Sequence, residues 1–125
     1  MIVLDTSVLI DLPTEWPENE VFGCSTVTLA ELQFGLQLTI ATPEHAARQA
    51  RLTLLESLFE WVPFDEKAAV GYGTLAAAVN ARRAGHTRSK DLMLAGHAYS
   101  LGAALMTRNP KDFELVEGLV EIIAA

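Results

Sequence analysis

The sequence predicts an α/β protein with a parallel sheet covered by helices on both faces. Short apolar runs of strand length alternate with segments whose apolar residues recur at helical spacing. Half of the 125 residues are hydrophobic and a fifth are charged, the balance of a folded globular chain. That length suits one domain, here residues 1–125, with material for a single core and little room for a second.

Ile2-Val3-Leu4 is a β-favouring run ending at Asp5, and Thr6-Ser7 offers an N-cap to a short helix through about Leu12. Pro13 to Asn19 reads as a loop and Glu20 to Cys24 as a second strand. Ser25 or Thr26 then caps a helix to about Leu38, with Leu29, Leu32 and Leu36 on one face. Pro43 suits the first turn of a third helix, where Leu54, Leu55, Leu58 and Phe59 form the apolar stripe, and Trp61-Val62-Pro63 is a brief strand. Asp65 starts an alanine-rich helix that stops at Gly85. Another helix runs from about Ser89 to Leu101, with Gly102 at its end. Ala103 to Met106 is a buried strand, residues 107–110 form a polar turn, and Leu119 to Ile123 supplies a last strand. No internal repeat, low-complexity tract or linker interrupts this order.

No stretch is apolar for the roughly 18 to 20 residues that span a bilayer, and Asp5 and Asp11 occupy an N-terminal segment without a basic start. Neither a signal peptide nor a membrane anchor is expected. The lone Cys24 lies in an apolar stretch and reads as a buried thiol, which suits a reducing, cytoplasmic setting. Nine Lys and Arg against sixteen Asp and Glu give a formal charge of −7, which argues against nonspecific nucleic-acid binding through bulk electrostatics. A chain of this balance handles RNA only with cations bound at its acids or basic residues concentrated locally.

In open parallel sheets, ligands bind beyond the carboxyl ends of the strands. Asp5 follows the first strand, and residues 107–112 follow the fourth. Glu31 lies early in the second helix and Asp91 in the first turn of the fifth, both facing that edge in a right-handed βαβ arrangement. Four carboxylates, Asp5, Glu31, Asp91 and Asp112, are therefore expected to converge. Each has an ordinary role when taken alone: a strand end, a solvated helix residue, a helix N-terminus and a turn. Crowded together they would repel one another, and a bound cation removes that penalty. An all-carboxylate set suits Mg²⁺ or Mn²⁺ better than zinc. His45, His86 and His97 have no zinc-ligand spacing, and His97 reads as a hydrogen-bonded core histidine. No P-loop, GxSxG or HExxH sequence is present.

Four ordered segments carry a resemblance: Ile2-Val3-Leu4-Asp5-Thr6-Ser7, Thr28 to Gly35, Asp91-Leu92-Met93-Leu94-Ala95, and Thr107-Arg108-Asn109-Pro110-Lys111-Asp112-Phe113. Together they resemble the PIN-domain family, in particular its VapC-type toxins. The resemblance implies a three-layer fold with four or five parallel strands and Mg²⁺ or Mn²⁺ dependence. It also implies a homodimer and a VapB-like antitoxin whose C-terminal segment covers the catalytic groove in a hetero-oligomer.

It maps the family's acidic site onto Asp5, Glu31, Asp91 and Asp112, with Asp5, Asp91 and Asp112 as metal ligands. Thr107 matches the hydroxyl near the metal, Asn109 its polar neighbour, and Thr6 and Ser7 the turn after the first acid. Glu114 is a neighbouring acid to Asp112, and Gly96 departs from the alanine common in the Asp-containing helix.

These residues imply a metal-dependent endoribonuclease toxin that hydrolyses RNA phosphodiesters with an activated water. Arg82, Arg83, His86, Arg88 and Lys90 form a basic run leading to Asp91, read either as an RNA contact or as a solvated helix end. Trp16, flanked by Glu15, Pro17 and Glu18, is expected to be exposed and to help form, with Phe34, Leu36 and Leu38, a partner groove. The alternatives are a noncatalytic PIN-like RNA- or protein-binding module and a phosphate-accepting receiver domain. The receiver needs an acidic pair after the first strand, where this chain has Thr6 and Ser7.

Overall fold

The computed structural model describes residues 1–85 and 89–125. Its strands are β1 (Ile2–Leu4), β2 (Phe22–Ser25), β3 (Trp61–Val62), β4 (Ala104–Thr107) and β5 (Ile122–Ala124). The helices are α1 (Thr6–Leu9), α2 (Thr26–Leu38), α3 (His45–Leu58), α4 (Glu66–Arg82) and α5 (Lys90–Ser100), with a 3-10 helix over Pro110–Val116. The five strands form one parallel sheet in the order β3-β2-β1-β4-β5. The chain steps outward from β1 to β3, then returns to place β4 on the other side of β1. That reversal makes the carboxyl ends of β1 and β4 the switch point of the sheet. A receiver domain has the order 2-1-3-4-5, so that alternative fails on topology.

The unbroken apolar strands follow from burial on both faces. Val3 and Leu105 point to a layer made by α4 and α5, where Leu75, Val79, Ala95 and Ala98 are buried. Ile2, Leu4 and Met106 point the other way, onto Val8, Leu9 and Leu55. Successive strand residues serve opposite layers, so the strands carry no charge and turn polar only at their carboxyl ends, at Ser25 and Thr107. Cys24 lies in the second layer, fully buried, and burial pushes its thiol up to about 12, so it stays protonated and unreactive at neutral pH. No helix among the described residues is long and apolar enough to cross a membrane.

Four local expectations are corrected. Asp5, not Thr6 or Ser7, caps α1, because the strand-end backbone is extended and its carboxylate accepts the Thr6 N–H; the helix stops at Leu9, short of Leu12. In α3 the buried leucines are Leu52 and Leu55, while Leu54 and Leu58 are about half exposed, so the helix is rotated relative to the expected stripe. Pro43 lies ahead of this helix rather than in its first turn. Trp16 packs edge-on against Phe22 at 5.0 Å between ring centroids and near Phe59 at 6.1 Å, which draws it partly onto the core instead of leaving it exposed.

Helices α4 and α5 cross at two glycines. A Cβ at Gly71 would collide with the Gly96 carbonyl, and one at Gly96 would lie 2.5 Å from Tyr72 Cα and 2.7 Å from its nitrogen. The backbones touch where side chains normally intervene, and this seats α5, with Asp91 at its start, directly against α4. Gly96→Ala is expected to force the helices apart and destabilise the protein by about 1–3 kcal/mol. A denaturant midpoint equal to that of the parent would contradict this reading of the crossing.

Candidate active site

Asp5 is the first residue beyond β1 and only 8% exposed. Its Oδ1 accepts the Thr6 backbone N–H at 2.8 Å. Its Oδ2 accepts from two hydroxyls, Ser7 Oγ and Thr107 Oγ1, each at 2.8 Å. Each hydroxyl also receives a backbone N–H from the turn after β4: Arg108 N donates to Ser7 Oγ and Asn109 N to Thr107 Oγ1, both at 3.0 Å. The turns following the two central strands are thus tied through one carboxylate oxygen, which fixes the rotamer of Asp5 at the switch point.

Glu31 reaches the same edge from α2. The Ser25 hydroxyl caps that helix by accepting the Val27 N–H at 3.0 Å, and it lies 2.8 Å from Nδ1 of the buried His97. Phe64 packs edge-on to the imidazole, and burial lowers the His97 pKa against the opposing pull of Asp65. His97 therefore supports the start of α2 from within the core. Glu31 Oε1 accepts from Thr6 Oγ1 at 3.2 Å, and its Oε2 is 3.5 Å from Lys90 Nζ.

Asp91 lies in the first turn of α5, where Ser89 caps the helix by accepting the Leu92 N–H at 3.0 Å. Its carboxyl is held above the usual aspartate range, first by burial, then by the charges of Asp5, Asp112 and Glu31, with Lys90 pulling the other way. The other three acids therefore lie near enough to act on Asp91. Asp112 is exposed in the 3-10 helix and shares a recess of about 40 Å³ with Ser89 and Asp91.

Thr6 links Asp5 to Glu31, and Thr107 links Asp5 to the turn after β4. Asn109 is exposed and contributes its backbone N–H rather than an observed side-chain contact. Ser7, legible only as a turn residue, is a direct donor to Asp5. Of the basic run, Lys90 meets Glu31, Arg82 Nη1 donates to the Leu115 carbonyl at 2.9 Å, and Arg83 is exposed at the end of α4. Arg88 and His86 lie outside the described residues. Arg48 and Arg51 were not anticipated, because only the docking of α3 brings them into a cavity with Thr6 and Glu31.

Among the described residues, no three acidic or imidazole groups are closed tightly enough to hold one ion between them. The donor chemistry fits a hard divalent cation: the converging groups are carboxylates, and their mutual repulsion at Asp91 is the penalty a cation relieves.

A family model described as PIN domain matches residues 2–119. The chain is 34% identical to the tRNA(fMet)-specific endonuclease VapC of Salmonella typhimurium, over 94% of this chain and 92% of that protein. It is 26% identical to Ribonuclease VapC2 of Rickettsia felis, over 94% of this chain and 93% of that protein. Among solved structures, a member of the VapBC family of toxin-antitoxin systems, VapBC-5 from Mycobacterium tuberculosis, superposes with a TM-score of 0.80 at 33% identity, covering 98% of this chain and 97% of that one.

Because Asp91 binds its proton more tightly in the folded chain than in the unfolded one, the metal-free protein loses stability as pH rises from the ordinary aspartate range through the raised folded value. Above that window the loss is complete. Asp91→Asn removes it, so thermal melts in EDTA are expected to show the variant melting higher than the parent at pH 7, with the gap closing in acid. A variant that melts lower at neutral pH would contradict the repulsion.

Proposed function

This chain belongs to the PIN domain family, and on that premise we propose that it is a divalent-metal-dependent endoribonuclease, the toxin of a toxin–antitoxin pair. The observation that carries this reading is the acid cluster at the switch point: one buried, rigidly oriented carboxylate, Asp5, which with Asp112 and Glu31 is near enough to act on Asp91. The names of its relatives, a ribonuclease and a transfer-RNA endonuclease, support the same activity. A solved neighbour from a toxin–antitoxin system supports a VapB-like antitoxin as partner. We read residues 1–125 as one such domain, acting in the cytoplasm as a homodimer and, with its antitoxin, as a hetero-oligomer.

Asp5, Asp91 and Asp112 would hold Mg²⁺ or Mn²⁺. When bound, the cation supplies Lewis-acid charge for activating water and offsetting negative charge on the phosphate. Asp5 needs no reorientation, since Thr6, Ser7 and Thr107 already fix it. Glu31, steadied by Thr6 and Lys90, accepts a hydrogen bond from the attacking water. The water oxygen bonds to phosphorus as the bond to the 3′ oxygen breaks. One water proton is given up and the 3′ oxygen takes one, leaving a 5′-phosphate and a 3′-hydroxyl. Lys90 places a positive charge beside this edge, where an RNA phosphate approaches a chain of net negative charge. Arg82 and Arg83, at the end of α4, add to the basic charge of the chain near the α4–α5 pair.

The test is cleavage of total bacterial RNA by purified, antitoxin-free protein with Mg²⁺ or Mn²⁺, with EDTA, and with Asp5→Asn or Asp91→Asn. Discrete fragments that vanish in EDTA and fall by about a hundredfold or more in both variants are expected. Folded parent protein that cleaves under no metal would instead identify a noncatalytic RNA- or protein-binding module.

A further inference from the structure

Deepening the nuclease reading and resting on it, we infer that Arg51, seconded by Arg48, forms a subsite for an RNA phosphate neighbouring the one that reacts. Both arginines lie on α3 and line a cavity of about 240 Å³ whose opposite wall is Thr6 and Glu31. Those two residues belong to the acid cluster, so the cavity shares a wall with the reacting edge, and Lys90 does not line it. A second concavity, of about 450 Å³, shares Ile10, Arg51 and Leu55 with the first and continues to Asp11. Arg51 thus stands where two hollows meet, along a line leading to the cluster.

Of the exposed basic side chains without an acidic or carbonyl partner among the described residues, namely Arg51, Lys67, Arg83 and Lys111, Arg51 lines the cavity walled by Thr6 and Glu31. Lys90 is engaged with Glu31, Arg108 with Asp11, and Arg82 with the Leu115 carbonyl. Arg48 donates to the Gly35 carbonyl at 2.8 Å, which holds it in the cavity wall while keeping its charge. Arg51 is exposed and has no acidic or carbonyl partner among the described residues. A guanidinium offers a planar fork of donors that matches two phosphate oxygens at once.

A chain of net charge −7 repels RNA at long range, and its acid cluster repels it most strongly at the reacting edge. A cation at the cluster offsets that repulsion for the reacting phosphate only. The next phosphate along the strand needs a positive group of its own, and Arg51 supplies one at a cavity sharing a wall with the cluster. Leu32 and Leu52 line the same hollow and give a sugar or base an apolar surface. An RNA strand, which presents phosphates on both sides of its reacting bond, fits this placement better than an acidic peptide does.

Binding and cleavage test the subsite and the nuclease reading separately. The affinity of a labelled single-stranded RNA oligomer is measured by fluorescence anisotropy in EDTA over a range of salt, for the parent, Arg51→Ala, Arg51→Lys and Lys67→Ala. Lys67 is an exposed control in the first turn of α4, near the end of α5 remote from Lys90. Arg51→Ala is expected to weaken binding roughly tenfold and to flatten the salt dependence by about 0.7 in log–log slope, the share of one phosphate contact on a single strand. Arg51→Lys is expected to restore the slope.

Loss in Arg51→Ala no greater than in Lys67→Ala, an unaltered slope, or no RNA binding by the parent would overturn the subsite. So would unchanged RNA affinity with weakened binding of polyglutamate, which would assign Arg51 to a protein partner. Metal-dependent cleavage by the parent with unaltered Arg51→Ala binding would keep the nuclease and discard the subsite. Arg51-dependent binding without metal-dependent cleavage would do the reverse.

Discussion

One carboxylate oxygen, Oδ2 of Asp5, joins the two central strands where the sheet changes direction. It accepts hydroxyls from Ser7, beyond β1, and Thr107, at the end of β4. Those hydroxyls in turn accept the backbone N–H groups of Arg108 and Asn109. Removing the carboxylate would leave polar groups of two turns without their partners in a largely buried place, where each unmet donor costs about 1–3 kcal/mol. The other acids gather around a group whose position is set by the fold. Asp91 arrives on α5, seated by the glycine crossing with α4, and Glu31 on α2, capped by Ser25 with His97 behind it.

The arrangement opposes local stability to function. Burial, and then the charges of Asp5, Asp112 and Glu31, raise the proton affinity of Asp91, which makes its ionised form unfavourable in the metal-free folded chain. Lys90 offsets part of it from the exposed side. On the proposed function, an acidic chain would act on a polyanion through positive charge that is local to the reacting edge and partly borrowed from a bound cation.

Much of this was legible in the residues. Asp5 and Asp91 belong to local patterns, an acid after an apolar strand and an acid in the first turn of a capped helix, and short-range chemistry decides such positions. The strands and the Ser25, Asp65 and Ser89 caps were legible for the same reason. What was missed depends on contacts between distant segments. The bond of Ser7 to Asp5 is local, but its tie to the Arg108 N–H forms only when β4 lies beside β1, and Arg51 nears Glu31 only when α3 docks against α1 and α2. Trp16 looked exposed because its sequence neighbours are polar, but Phe22 and Phe59 supply an aromatic surface that sequence spacing does not reveal. The leucine stripe of α3 was misplaced because Leu54 and Leu58 satisfy helical periodicity as well as Leu52 and Leu55 do.

In the proposed nuclease, Asp5 and the acids around it hold a divalent cation. A crystal of the protein soaked in Mn²⁺, with data collected near the manganese absorption edge, would locate that ion. An anomalous peak is expected within ligating distance of the Asp5 and Asp91 carboxylates. A peak elsewhere on the molecule, or none at a Mn²⁺ concentration that supports RNA cleavage, would contradict it.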